Sequence, residues 1–220
     1  MVISEAKAMK IASTSGWVAI VLAVLIMIAS GVSRLVLMTQ DPATADGFDA
    51  RYIEHPWVSL FHIVPGVLFL TFAPLQFVAR IRRRRISIHR GSGRILATFA
   101  AISAVLALVV NFVFPAFGGI STQSAVVFLS VLLLFSLSMA IRHILRKEVR
   151  QHREWMIRTF ALAMSVATQR VILILLRSLM GLSLEEVFGA AFWLAIGVNL
   201  VVAEVWINYT RRTVRIPDRA

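Results

Sequence analysis

Six apolar stretches, at approximately 16–38, 57–79, 95–114, 122–141, 159–180 and 187–209, take up most of this chain. Each is roughly 20 residues long, the length an α-helix needs to cross about 30 Å of hydrocarbon. A water-facing fold has no use for so much apolar sequence. Hydrophobic residues make up 59% of the chain and charged residues 15%, against about 45–50% and about 25% in a soluble domain. The sequence predicts an all-α, polytopic membrane helix bundle of about six transmembrane helices over 16–210. A cytoplasmic N-terminal segment at 1–15 precedes it and a basic cytoplasmic tail at 211–220 follows. Lys7 and Lys10 stand before the first stretch as they would in a signal peptide. That stretch exceeds a signal core of about 7–15 residues and reads as an uncleaved helix.

The segments between the stretches set the topology. Lys7 and Lys10, seven arginines between Arg80 and Arg94, six basic residues between Arg142 and Arg158, and Arg211, Arg212, Arg215 and Arg219 fall on one side of a six-helix chain. The other side carries Asp41, Asp46, Asp49, Glu54, Glu185 and Glu186, with Arg34 and Arg51 near helix ends. Positive loops stay in the cytoplasm, so both termini are expected there, in a bacterial inner membrane. The net charge of +12 is thus a matter of topology and anionic lipid head groups, and no nucleic-acid partner is expected. Trp17, Trp57, Trp155, Trp206 and Tyr209 lie near predicted helix ends, where interfacial anchoring accounts for them.

Polar side chains inside lipid are costly and mark the places to examine. They are His62 and Gln76 in the second stretch, Asn111 in the third, Gln169, Arg170 and Arg177 in the fifth, and Asn199 and Glu204 in the sixth. Arg170 is central and must face the bundle interior, a wet cavity or a partner. Asn199 lies at a similar depth, and Glu204 is within an arginine's reach though nearer the basic side. Arg177 can snorkel to the interface. His55 and His62 would share a helix face about 10 Å apart, too far to ligate one iron from opposite sides.

With no cysteine in the chain, disulfides, thiolate metal sites and iron–sulfur clusters are excluded, and histidine is the main candidate ligand. His89-Arg90 and His152-Arg153 each open an apolar stretch, an echo that suggests two similar hairpins. His89 and His152 on two helices could ligate a b-type haem, with Arg90, Arg94, Arg153 and Arg158 neutralising its propionates. The run Arg82 to Arg85 with the Gly91-Ser92-Gly93 turn offers a phosphate-binding reading instead. The chain has no Walker loop, His-Glu-x-x-His helix, Gly-x-Ser-x-Gly elbow or paired-carboxylate site. Whether it is an enzyme stays open.

His62, Pro74-Leu75-Gln76, His89-Arg90-x-x-Gly93-Arg94 and His152-x-x-Trp155-Met156-Ile157-Arg158 together make a pattern. It resembles a family of predicted bacterial membrane proteins catalogued as a domain of unknown function, over about residues 55–210. The resemblance implies a multi-helix fold and supplies no activity. More distantly the chain is similar to di-haem cytochrome b and ferric-reductase bundles. Those pair histidines near both membrane faces, whereas His62 here has no second histidine at its depth. The leading expectation is a haem-binding or quinone-linked electron-transfer protein, with His89 and His152 as iron ligands, His62 as a second site, and a quinone or redox protein as partner. The alternatives are a non-redox transporter or lipid-interacting protein centred on Gln169, Arg170, Asn199 and Glu204, or an accessory subunit of a larger membrane complex.

Overall fold

A computed structural model describes residues 5–41, 47–114 and 117–213. Asp46, Arg215 and Arg219, and the side chains of Lys7, Lys10, Arg51 and Arg212, lie outside the described residues. Eight helices and no strand occur among those described: α1 (Glu5–Leu37), α2 (Gly47–Glu54), α3 (Pro56–Gln76), α4 (Ala79–Arg84), α5 (Ile86–Val113), α6 (Gly119–Leu145), α7 (Val149–Met180) and α8 (Leu184–Thr213). Six of them are long and apolar enough to cross a membrane. They form a polytopic bundle.

Helices stop where the local chemistry tells them to. Pro56 occupies the first turn of α3, where its missing N–H is no loss, so His55 is the residue before the helix rather than a member of its face. Its ring stacks on Phe114, with centroids 5.3 Å apart. α7 ends on Gly181 at φ 66°, a left-handed conformation that suits glycine. Ser183 and Glu186 then exchange hydrogen bonds across the first turn of α8, a capping box in which Ser183 N and Oγ donate to Glu186 Oε2 at 2.8 and 2.7 Å.

α3 packs on α5 and α6 on α7, so the two hairpins suggested by the His-Arg echo are present, their arginine-rich turns at the same end of the bundle. α7 is the central element, touching α8, α6, α1 and α3, while α1 lies at the edge against α3 and α7. The outer faces are bare and apolar: Val18, Leu22 and Val36 of α1, Ile174 and Leu175 of α7, and Val201, Val202 and Val205 of α8 are each more than half exposed. The interior holds Ser59, Thr122, Ser130, Ser136, Thr159, Ser165 and Gln169. Apolar outside and small or polar between helices is the distribution lipid selects, because packing and hydrogen bonds, not water exclusion, hold such helices together.

Candidate functional site

Most of the residues that the sequence singles out divide between two places. In the half of the bundle nearer the acidic turns, side chains from all six long helices surround a cavity of about 420 Å³, within the size range of small-molecule pockets. Its wall is mainly apolar, with Phe114, Phe117, Phe188 and Phe192 toward the acidic end. The polar exceptions are specific. His62 Nδ1 lies 2.9 Å from the carbonyl oxygen of Ser103 on α5. A carbonyl only accepts, so Nδ1 carries the proton, and in the neutral ring Nε2 keeps a lone pair. Ser103 Oγ returns a hydrogen bond to the His62 carbonyl at 3.0 Å, locking α3 to α5 beside Pro65, whose ring breaks the regular ladder.

Arg170 donates from Nε to Ser30 Oγ of α1 at 3.0 Å and from Nη1 to the Val166 carbonyl at 2.7 Å. Both acceptors are neutral, and among the described residues no carboxylate pairs with it. Its neighbour Gln169 is 3% exposed, lines the cavity, and has no partner for Nε2. Thr122 Oγ1 is likewise buried on the wall without a partner. Each such orphan costs about 1–3 kcal/mol unless water or a ligand satisfies it. Toward the acidic end, Arg34 is paired with Asp49 and lies over the ring of Tyr52, 4.7 Å from its centroid. Arg34 and Tyr52 belong to the lining. The second arginine of the cavity is therefore compensated, and Arg170 is not.

The basic end holds the second group. His89 and His152 stand in the first turns of α5 and α7 rather than in loops. His152 Nδ1 donates to the Ala140 carbonyl of α6 at 2.9 Å, and His89 Nδ1 is buried without a partner. Arg90 and Arg94 are exposed on one face of α5. Gln76 Nε2 donates to Ser92 Oγ at 2.8 Å, which ties the end of α3 to α5. Arg158 meets Glu204 of α8 through two hydrogen bonds, 2.5 Å from Nε and 3.0 Å from Nη2, and lies over Trp155 at 4.7 Å. Glu154, buried on α7, receives Arg211 of α8, 2.6 Å from its Nε. Among the described residues no three histidine or acidic side chains converge as a metal site.

The family described as "Predicted membrane protein (DUF2306)" matches residues 59–207, about two-thirds of the chain and every element just described except α1 and α2. The chain belongs to that family. No curated protein and no solved structure matches it. The family thus carries the fold and leaves the chemistry to the geometry.

Within the family segment, several sequence expectations change. Arg170 does not reach Glu204; Glu204 takes Arg158, which stands nearer the same end, and Arg170 turns to α1. Asn199 donates to Thr168 Oγ1 at 2.8 Å and to the Ala195 carbonyl, an α7–α8 tie rather than a cavity group. Gly91-Ser92-Gly93 is helix interior, so its amides are engaged in the helix and form no phosphate cradle. Trp155 packs edge-on against Phe135, with centroids 5.6 Å apart, as well as beneath Arg158. Nothing in the sequence marks Arg211 of α8 as the partner of Glu154, or Ser30 and Ser103 as the partners of Arg170 and His62. Ser30 and Ser103 look like ordinary small residues in apolar stretches. Glu154 is hidden among arginines, although an acid in a basic helix start is itself a pairing signal.

Proposed function

We propose that this integral membrane protein binds an amphiphilic small molecule within the bilayer, in the cavity at His62, Gln169 and Arg170. One observation carries the reading: a mainly apolar cavity contains a guanidinium and an amide donor that have, among the described residues, no carboxylate and no partner respectively, and an imidazole whose Nδ1 proton is fixed. Apolar walls take a chain or ring, and the polar groups hold an acceptor-rich head. The acceptor-rich heads include quinones and the acidic heads of lipids. Topology supports a basic end facing the cytoplasm of a bacterial inner membrane, with its exposed arginines against anionic lipid.

The test uses the detergent-purified full chain and Ala107→Phe, which adds a ring to the lining. Oleate, dioleoyl phosphatidic acid and decylubiquinone are titrated while thermal unfolding is followed. At least one is expected to stabilise the wild type, by about 2.7 kcal/mol at 100 times its dissociation constant. Ala107→Phe is expected to remove that gain. Stabilisation by none of the three, or equal stabilisation of the variant, would overturn the reading.

A second reading, b-type haem at the basic end with a part in electron transfer, is supported by the hydrogen bond from His152 Nδ1 to Ala140. Ligating histidines commonly donate their other nitrogen to a carbonyl in this way, and His89 Nδ1 still requires a partner. Arg90 and Arg94 are exposed and suit propionates; Arg158 is engaged by Glu204. A bound haem would supply one-electron transfer. Protein made with ample haem is expected to give a sharp α-band on dithionite reduction, lost in His152→Ala. A flat spectrum from pure, monodisperse protein would reject this reading and leave the cavity unaffected.

A further inference from the structure

We propose that the head group held at Arg170 is an oxyanion, a carboxylate or phosphate borne on an acyl chain. The inference rests on the amphiphile reading and narrows it to a ligand class. Charges on the cavity wall decide it. Arg34 already has Asp49, His62 donates an Nδ1–H hydrogen bond to a neutral carbonyl, as an uncharged imidazole does, and among the described residues Arg170 hydrogen-bonds to Ser30 Oγ and the Val166 carbonyl, both neutral. Among the described residues the lining is left with one uncompensated positive charge. Charged side chains inside a membrane normally pair or face water, because neutral dipoles replace only part of their hydration. An anionic head in the cavity supplies the missing negative charge, whereas a quinone carbonyl accepts hydrogen bonds and leaves the positive charge standing.

The donor set agrees. Arg170 uses Nε and Nη1 within the protein, and Nη2 has no partner among the described residues. Gln169 Nε2 has none either, and the next residue in sequence also lines the cavity. An oxyanion has at least two acceptor oxygens, enough for both N–H groups, and charge-assisted bonds of this kind are about twice as strong as neutral ones.

The source of the anion follows from the surroundings. The acidic end of the bundle carries Glu54, Glu185 and Glu186 against Arg177, all exposed, a negative balance that repels a soluble anion approaching from water. The phenylalanine-lined wall favours one that arrives dissolved in the bilayer. A fatty-acid carboxylate and a phospholipid phosphate share this chemistry.

The experiment compares oleate, methyl oleate, oleyl alcohol, dioleoyl phosphatidic acid and decylubiquinone on the full chain in detergent, at about pH 8, where carboxylates are ionised. Oleate or the phosphatidic acid is expected to bind at least tenfold more tightly than the ester and alcohol. Preference for oleate assigns the carboxylate source and preference for the phosphatidic acid assigns the phosphate source; either supports the oxyanion. Arg170→Gln is expected to bring acid and ester to equal affinity. If the wild type binds ester, alcohol or decylubiquinone as tightly as both acids, the oxyanion inference is overturned while the amphiphile reading stands. If it binds none of the five, both fall. The acid-to-ester ratio is read on the wild type and does not depend on whether Arg170→Gln folds.

Discussion

Gly189→Leu is expected to break the packing of α8 on α6 and to leave little monodisperse protein, while Gly197→Leu on the same helix is tolerated. A Cβ at Gly189 would stand 2.5 Å from Ser121 Oγ, 2.8 Å from Ser121 Cβ and 2.9 Å from the backbone nitrogen of Thr122. The hydroxyl could rotate away, but the Thr122 backbone cannot, and even alanine would be strained. At Gly197 a Cβ meets nothing within 4 Å. Intrinsic helix preference pulls the other way at both positions, since replacing glycine gains up to about 1 kcal/mol. Overpacking costs about 1–3 kcal/mol and occasionally more, and a clash with backbone belongs at the upper end. At Gly189 the clash wins; at Gly197 only the propensity gain is left. Thermal unfolding in detergent, with size-exclusion profiles of freshly extracted protein, separates the two. Equal melting temperatures for the two variants would mean that α8 does not approach α6 this closely. Because Thr122 also lines the cavity, Gly189→Leu is expected to reduce amphiphile binding in whatever protein survives.

This contact shows where the sequence was readable and where it was not. Six spans and two basic hairpin turns follow from block length and arginine placement, which are local properties of the chain. Pairing across the bundle is not local. Arg170 and Glu204 stood out as charges in apolar stretches, yet nothing in linear order says that Arg158, at the start of the same helix, would claim Glu204. Depth decides: Arg158 lies nine residues from the start of α7 and Glu204 nine from the end of α8, so antiparallel packing brings them level. His62 was legible as an intramembrane histidine, but its tautomer depends on the Ser103 carbonyl, forty-one residues away in the chain. The cavity depends on all six helices at once and has no signature in any one of them.

Removing Glu204 is expected to harm the protein more than removing Arg158, and removing both less than removing Glu204 alone. Arg158 is the more enclosed partner, with its side chain 18% exposed against 45% for Glu204. Glu204→Leu leaves a guanidinium between helices without its hydrogen-bonded carboxylate, and Glu154, one turn earlier on α7, is already taken by Arg211. Unpairing a buried charge costs about 3–5 kcal/mol; the Trp155 ring beneath it and the nearness of the basic end place this site at the lower limit, about 3 kcal/mol. A guanidinium cannot discharge by losing its proton, whereas a carboxylate left alone by Arg158→Leu can take one up and become neutral. The double variant Arg158→Leu with Glu204→Leu has no charge to strand and places leucines between α7 and α8, a replacement that is often neutral or stabilising for buried pairs. The expected order of unfolding temperature is wild type close to the double variant, then Arg158→Leu, then Glu204→Leu. Additive single effects in the double variant would mean that the two groups do not form a pair in the membrane. The same set bears on the haem reading, because an Arg158 held by Glu204 is not needed by propionates. A reduced α-band, if present in the wild type, is therefore expected to persist in the double variant, and its loss there with folding intact would assign Arg158 to the haem instead.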